Sequence, residues 1–274
     1  IFNLGTFGGL AAATPDPNKP LRPQFLNLIA GGPLASILLA IICFSTLFFV
    51  DGRLFAHLAM IGLMSLFIFI VTAIPSQLGG MMSDGKQFLE VIGGGDAVLV
   101  RQKFSTLIAQ SMAGIRPRDW DADWLEPATE NSSTDPMRLV ATRQLALLAA
   151  QDRADFSTAD KHADWLAENY QDYPLGFRQS LTIELCLYAL KRDNVNAAKI
   201  WLAQSKGGVV DKSRRYLAEA ELAFIEGNKP AALGKHMEAC NQLKNSMDPG
   251  VAQLTKERLD ILMAKLAGKP SSNH

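Results

Sequence analysis

One carboxylate in this sequence stands where it could do chemistry. Asp84 follows a long apolar run, in a segment where Pro75, Gly79 and Gly80 interrupt the helical pattern. An ionisable residue at such a break, beside the end of an apolar helix, is by default a candidate functional residue. The alternative is structural: Asp84 would cap the N-terminus of the helix that the stretch KQFLEVI predicts.

No catalytic residue can be identified beside it. None of the histidines is followed by Glu and then, three residues on, by a second His. The cysteines are far apart, so neither a disulfide framework nor a Cys-x-x-Cys zinc site is predicted. We expect His57, close to the turn between two apolar runs, to reach toward the membrane surface rather than bind a metal. The residues concerned are His57, His162, His236, His274, Cys43, Cys186 and Cys240.

Two apolar runs must position Asp84. They extend from Phe25 to Val50 and from Leu54 to Pro75, and neither contains Asp, Glu, Lys or Arg. Each is long enough for a membrane-spanning helix, which needs roughly 20 apolar residues. Because only residues 51–53 separate the runs, they predict an antiparallel transmembrane hairpin. Residues 1–24, rich in Gly and then in Pro, are interpreted as a segment at the membrane surface.

The distribution of basic residues predicts the orientation of this hairpin. Arg53 alone lies at its turn, whereas the opposite side carries Lys19, Arg22, Lys86, Arg101, Lys103, Arg116 and Arg118. The positive-inside rule therefore predicts a multi-pass integral membrane protein with both ends, and hence the C-terminal domain, in the cytoplasm. Lys and Arg together number 27, as do Asp and Glu, and this balance gives no support for a nucleic-acid partner.

Two short motifs in the first hundred residues resemble those of a known family. GGPLAS, residues 31–36, and Pro75 followed by Ser-Asp-Gly at 83–85 are similar to the motifs of the site-2 protease family of intramembrane zinc metalloproteases. The resemblance implies that Asp84 is the third ligand of a zinc cofactor. It also implies hydrolysis of peptide bonds in a membrane-embedded protein substrate. The residues implied to shape the site are Gly31, Gly32, Pro33, Pro75 and Gly85.

The sequence departs from that family in lacking His-Glu-x-x-His, which supplies two zinc ligands and a general base. In the family this motif precedes the part seen here, and since the sequence begins at Ile1 we expect it upstream. The alternative is an inactive relative. A metalloendopeptidase is therefore predicted only for the full-length protein. A non-catalytic membrane-anchored adaptor is the second hypothesis, and a transporter half with an ion site in the broken helix is the third.

The C-terminal half predicts a different kind of module. Residues 101–133 are interpreted as a linker, with Trp120 and Trp124 either at the membrane interface or packed on the next domain. Residues 134–274 show an Ala- and Leu-rich helical pattern with regular breaks. Residues 184–202 resemble residues 221–237 at an offset of 37, close to the tetratricopeptide period of about 34. Such arrays often bind a protein on their concave surface, here a cytoplasmic one, although a plain stabilising domain fits equally well.

These patterns together predict an all-α fold. A membrane metalloprotease-like core over residues 25–100 would precede the linker and a cytoplasmic helical-repeat domain. The expected partners are the lipid bilayer, a membrane-protein substrate and a protein bound by the repeats.

Overall fold

The computed structural model describes residues 19–78, 81–122, 124–125, 136–173, 176–208, 210–246 and 248–268. The chain divides into two compact units, residues 1–102 and 103–274. Helices dominate both, which confirms the predicted all-α fold: two helices that could span a membrane precede a helical domain. Several sequence predictions concern residues outside the described ones, namely residues 1–18 of the surface segment, Gly79, Gly80, residues 123 and 126–133 of the predicted linker, and His274.

The first unit is built on a helical hairpin. Helix α1 (Leu21–Thr46) ends in a 3-10 turn at Leu47–Phe49, and α2 (Gly52–Ala73) follows. Gly52 has φ +67°, a left-handed conformation that glycine adopts without strain, so it allows the abrupt reversal. The apolar stretches of 29 and 22 residues correspond to about 43 and 33 Å of helix, enough to cross a hydrocarbon layer of about 30 Å.

Small residues bring these two helices together. Gly62 and Ser65 of α2 are buried, as are Ala40 and Cys43 of α1. A Cβ added at Gly62 would lie 3.1 Å from Cys43 Cβ, so the close approach depends on the glycine. Small contact residues are typical of helix packing within a membrane.

The outer surface of the hairpin is apolar and exposed. Phe48 and Phe49 at its turn are 88% and 86% exposed, and Leu, Ile, Met and Phe side chains are exposed along both helices. A soluble core helix would bury these side chains, and so large an apolar surface is costly in water. The hairpin therefore has the character of a membrane-associated element.

A short β-hairpin leads from α2 into the next helices. Strand β1 (Gln77–Leu78) pairs antiparallel with β2 (Met81–Met82), the one strand pair among the described residues. Helices α3 (Asp84–Gly93) and α4 (Asp96–Met112) follow. α3 lies along the first turns of α1, where Phe25 and Ile29 of α1 pack with Val91 of α3 and Val98 of α4. The division between the two units falls within α4.

The second unit consists largely of antiparallel helix pairs. Its helices are α5 (Pro136–Asp152), α6 (Phe156–Asn169), α7 (Arg178–Lys191), α8 (Val195–Gln204), α9 (Lys212–Ile225), α10 (Lys229–Leu243) and α11 (Pro249–Leu266). The pairs are α5 with α6, α7 with α8 and α9 with α10. Short 3-10 turns lie at Pro117–Asp119 and Tyr170–Asp172.

The three pairs share one turn. In each, a residue with positive φ is followed by an Asp or Asn whose side chain accepts a hydrogen bond from the backbone N–H three residues on. An alanine four residues after this cap is fully buried, which lets the two helices of a pair approach. The positive-φ residues are Ala154, Asp193 and Gly227, the caps Asp155, Asn194 and Asn228, and the alanines Ala159, Ala198 and Ala232.

The repeat interval differs from the one predicted. Residues at equivalent places in the second and third turns, such as Asn194 and Asn228, are 34 apart rather than 37. The offset of 37 joins Glu184 and Glu221, which are alike in another way: each forms an ion pair with an arginine of the next-but-one helix. Glu184 binds Arg214 on α9, and Glu221 binds Arg258 on α11 with an Nε–Oε1 distance of 3.0 Å.

The last helix covers one face of the array. α11 contacts α5 through Val251, Leu254 and Leu148. Arg258 of α11 donates to the Leu187 carbonyl of α7 at 3.0 Å. Residues 181–190 of α7 are all buried as a result of contacts on every side.

The segment before α5 packs onto this unit. Trp120 is 2% exposed and lies among Leu107, Leu125 and Leu145, which is the packed contact that the sequence left as one of two alternatives. Asp152 at the end of α5 accepts hydrogen bonds from the Arg116 side chain and from the Arg118 backbone N–H. Part of the stretch interpreted as a linker therefore belongs to the second unit.

The buried pair of Glu184 and Arg214 yields a stability prediction. Arg214→Met leaves Glu184 charged and unpaired in the interior, and we expect it to lower the free energy of unfolding by about 3–5 kcal/mol. Arg215→Met is the matched control, since Arg215 forms a half-exposed pair with Glu219 worth at most about 1 kcal/mol. Urea unfolding followed by tryptophan fluorescence measures both, because all 4 tryptophans lie in this unit.

A third variant separates loss of the pair from loss of packing. Glu184→Gln combined with Arg214→Met removes the unpaired charge and should recover most of the lost stability. Equal, small losses for Arg214→Met and Arg215→Met would contradict a stabilising buried pair.

Candidate functional site

Asp84 is the first residue of α3, and Ser83 rather than Asp84 is the N-cap. The Ser83 Oγ accepts a hydrogen bond from the Lys86 backbone N–H at 3.3 Å. The structural alternative for Asp84, that it caps this helix, is therefore wrong. The carboxylate is left available for another role.

Ser83 also ties the start of α3 to the end of α2. Its Oγ donates to the Ile74 carbonyl at 2.7 Å and accepts from the Ser76 N–H at 2.9 Å. The Ser83 N–H donates to the Ser76 carbonyl at 2.9 Å. Pro75 stands between these partners and, as predicted, follows the end of α2: the residue before a proline avoids the helical conformation, and Ile74 is extended.

Gly85 sits against the last residue of α2. A Cβ added at Gly85 would overlap the Ala73 carbonyl oxygen, so any side chain at this position would push α3 away from α2. The close approach is to the backbone of α2, which cannot move aside as a flexible side chain can. Gly85 thus permits the close backbone contact of α3 with α2.

The fold brings Asp84 to the glycine motif of α1. The Asp84 Oδ2 lies 3.7 Å from the position that a Cβ on Gly32 would take. The side of α1 that faces α3 also carries Arg22, whose guanidinium donates to the Ile92 carbonyl at the end of α3. α3 therefore runs beside α1, with Asp84 level with Gly32 and Ile92 level with Arg22.

The other predicted site-shaping residues take lesser parts. Gly31 has no atom near its added Cβ position. Pro33 lies inside α1 and has no backbone N–H, so the Ile29 carbonyl lacks its usual helical donor. This carbonyl lies about one turn of α1 from Gly32. Arg22 was predicted only as one of the basic residues that set the orientation, and the sequence holds no signal for its contact with Ile92. Ser83 could have been found as a helix cap, since serine at a helix start is a standard N-terminal signature.

The Asp84 carboxylate is half-buried, and burial raises its pKa above the usual range. It forms no hydrogen bond or ion pair with any described residue. A carboxylate partly removed from water and without a partner is destabilised as an anion. Binding a cation or a proton would relieve this, so the site can serve as one oxygen donor to a metal.

The described residues do not complete a metal site. They contain no group of three or more His, Cys, Asp and Glu side chains placed to hold an ion. The His57 ring is exposed, and its Nδ1 lies 2.8 Å from the Arg53 carbonyl at the opposite end of α2. His162 and His236 belong to the second unit, where the His236 Nε2 lies 3.1 Å from the Leu259 carbonyl.

Comparison of the chain with protein-family models, with curated proteins and with solved structures finds no match.

The contact between Gly85 and α2 yields a mutational prediction. Gly85→Ala should displace α3 from the end of α2, at a cost of about 1–3 kcal/mol typical of overpacking. Hydrogen exchange measured by mass spectrometry should show faster exchange of the α3 amides. Gly93→Ala is the control in the same helix, because an added Cβ there meets no atom within 4 Å. Equal exchange rates in the two variants would refute the steric role of Gly85.

The half-buried His162, whose Nδ1 is shielded from solvent, yields a pH prediction for the second unit. Burial, with the nearby positive charge of Arg143, lowers the pKa of His162 from 6.5 to about 4. Below pH 6.5 the unfolded chain binds a proton that the folded chain does not bind until about pH 4. The free energy of unfolding should therefore fall as the pH is lowered across that range, by at most about 1.4 kcal/mol per pH unit for this one proton.

His162→Gln should remove this part of the pH dependence. Urea unfolding of parent and variant at several pH values between 7 and 4 isolates the contribution, because the other titrating groups are common to both. Parallel curves for the two proteins would show that His162 is not buried in its neutral form.

Proposed function

We propose that this chain forms part of an intramembrane zinc metalloprotease resembling the site-2 protease family, with Asp84 as one zinc ligand. One observation carries the proposal. A half-buried carboxylate with no partner among the described residues lies beside Gly32, so the Ser-Asp-Gly motif at 83–85 and the Gly-Gly-Pro motif at 31–33 meet in space although they are far apart in the sequence.

The depth of Asp84 relative to the hairpin helices supports this role. α2 has 22 residues, about 33 Å of helix, which matches the hydrocarbon thickness of about 30 Å. Since Gly85 touches the last residue of α2, Asp84 would lie where the hydrocarbon meets the headgroups. A metal ligand at that level can be reached by water and by the end of a membrane-spanning substrate.

The donor chemistry fits zinc in part. Catalytic zinc takes three protein ligands from nitrogen and oxygen donors and keeps one position open. Asp84 supplies one oxygen donor, and the proposal requires two further ligands from a His-Glu-x-x-His helix outside this sequence. Bound zinc would activate a water molecule for attack on a peptide carbonyl. Within this chain, Ser83 and Gly85 fix the direction of the carboxylate, and Gly32 leaves space beside it.

The orientation proposed from the basic residues agrees with this placement. The Asp84 end of the hairpin carries Lys19, Arg22 and Lys86, whereas Arg53 alone lies at the turn. The protein would be a multi-pass integral membrane protein with its second unit in the cytoplasm. Its substrate would be a membrane-embedded protein.

A non-catalytic adaptor is the second candidate. The lack of a three-donor cluster among the described residues favours it. In that case the helical unit would bind a cytoplasmic protein, and the hairpin would hold it at the membrane. Because α11 covers one face of the array, such a partner would bind the outer surface or displace this helix.

Zinc retention distinguishes the two functions. In the full-length natural protein that contains this chain, Asp84→Asn should abolish proteolysis and weaken zinc affinity. Loss of a residue that only orients a metal ligand costs roughly 10–100-fold in affinity, so loss of a ligand should cost at least as much. The variant keeps the size of the side chain and removes its charge. Zinc per protein is measured by mass spectrometry after purification in detergent, and proteolysis by cleavage of a co-reconstituted single-span protein.

Asp51→Asn is the matched control, since Asp51 is exposed at the far end of the hairpin. It should leave zinc content and cleavage unchanged. Unchanged zinc and cleavage in Asp84→Asn would refute the ligand role. A full-length protein without His-Glu-x-x-His and without bound zinc would favour the adaptor.

A further inference from the structure

Helix α3 has three distinct stripes, set by its spacing of about 3.6 residues per turn. One stripe, with Asp84, Phe88 and Val91, faces α1. A second carries Lys86 and Glu90 and is polar. The third begins at Gly85 and continues through Leu89 and Ile92, whose side chains are 56% and 47% exposed.

The third stripe starts at the end of α2 and extends beyond it. Gly85 touches Ala73, the last residue of α2, so Leu89 and Ile92 lie about 6 and 10 Å farther along α3. No helix turn of α2 remains there to cover them. Ile74, which follows Ala73, is 56% exposed and belongs to the exposed apolar surface of the hairpin. Leu89 and Ile92 therefore continue that surface past the end of the span.

The depth of these two side chains matches the membrane interface. The headgroup zone adds about 5–7 Å beyond the hydrocarbon on each side. Amphipathic helices at a membrane surface bury their apolar face about 5–10 Å into the boundary of headgroups and acyl chains. Leu89 and Ile92 fall within this range if α2 spans the hydrocarbon.

Polar groups flank the apolar stripe in the manner expected at a lipid surface. Lys86 Nζ donates to Gln77 Oε1 at 2.6 Å on the polar side of α3. Arg22 binds the Ile92 carbonyl at the outer end of the helix, where its guanidinium would stand at headgroup level. Cationic side chains at this level favour anionic lipids.

We propose that Leu89 and Ile92 form a lipid-contacting face that seats α3 in the headgroup region of the leaflet at which α2 ends. The inference rests on the membrane insertion included in the proposed function, not on zinc chemistry. α3 becomes a third membrane contact of the first unit, and its anchoring keeps Asp84 at a fixed depth.

Quenching by brominated lipids tests this surface. Single cysteines are introduced in the full chain at Leu89, Ile92 or Glu90, labelled with bimane and reconstituted into phosphatidylcholine–phosphatidylglycerol vesicles. The parent protein, labelled identically, corrects for Cys43, Cys186 and Cys240. Labels at 89 and 92 should be quenched about twofold or more over the label at 90, and more by lipids brominated near the headgroup than near the chain end.

Glu90→Cys is the depth-matched control, because residue 90 lies between the two test positions on the polar stripe. Ile42→Cys reports on insertion of the hairpin, since Ile42 is 61% exposed at mid-span. Quenching at 42 with equal, weak quenching at 89, 90 and 92 would overturn the lipid-contact proposal alone. Labels at 89 and 92 shielded from both lipid and water would also overturn it, in favour of a protein segment on this face. No quenching at 42 would overturn membrane insertion as well.

Discussion

The contact between the Gly85 backbone and the Ala73 carbonyl is the constraint on which the first unit depends. It brings the start of α3 against the end of α2, and Ser83 holds it there by hydrogen bonds to Ile74 and Ser76. Because α3 then lies along the first turns of α1, Asp84 is level with Gly32. A bulkier residue at position 85 would change the depth and direction of the carboxylate together. The lack of a side chain at Gly85 thus determines the geometry of the candidate site.

The second unit solves the same problem of close approach with alanine. A fully buried alanine follows each turn cap, and buried or half-buried Glu–Arg pairs join successive helix pairs through α9. These pairs leave few ways for the helices to stack, because a shift of one turn would leave a charge unpaired in the interior. α11 completes the pattern by supplying Arg258 and covering α7.

The sequence was sufficient for features set by local patterns. Residue spacing and local composition predict the apolar runs, the break at Pro75, the helix pairs and the all-α class. It was insufficient for contacts made across long separations. Nothing near Trp120 decides between the membrane interface and packing on α5, and nothing near α11 signals its contact with α7. Ser83 rather than Asp84 caps α3. Both residue types suit a helix start, and only the hydrogen bond that the Ser83 side chain accepts from the Lys86 N–H distinguishes them.

The state of Asp84 is the strongest argument that its position is functional. A half-buried carboxylate usually has a hydrogen-bond or ion-pair partner, since desolvation of an unpaired charge is unfavourable. Asn would fit the same space beside Gly32 without that penalty, and Ser83 already caps the helix. Asp84 lies in the first turn of α3, where the helix dipole favours a negative charge and offsets part of this penalty. In the proposed function a bound cation would offset the remaining penalty, and the level of Asp84 at the end of α2 would let the metal meet both water and a substrate that leaves the membrane.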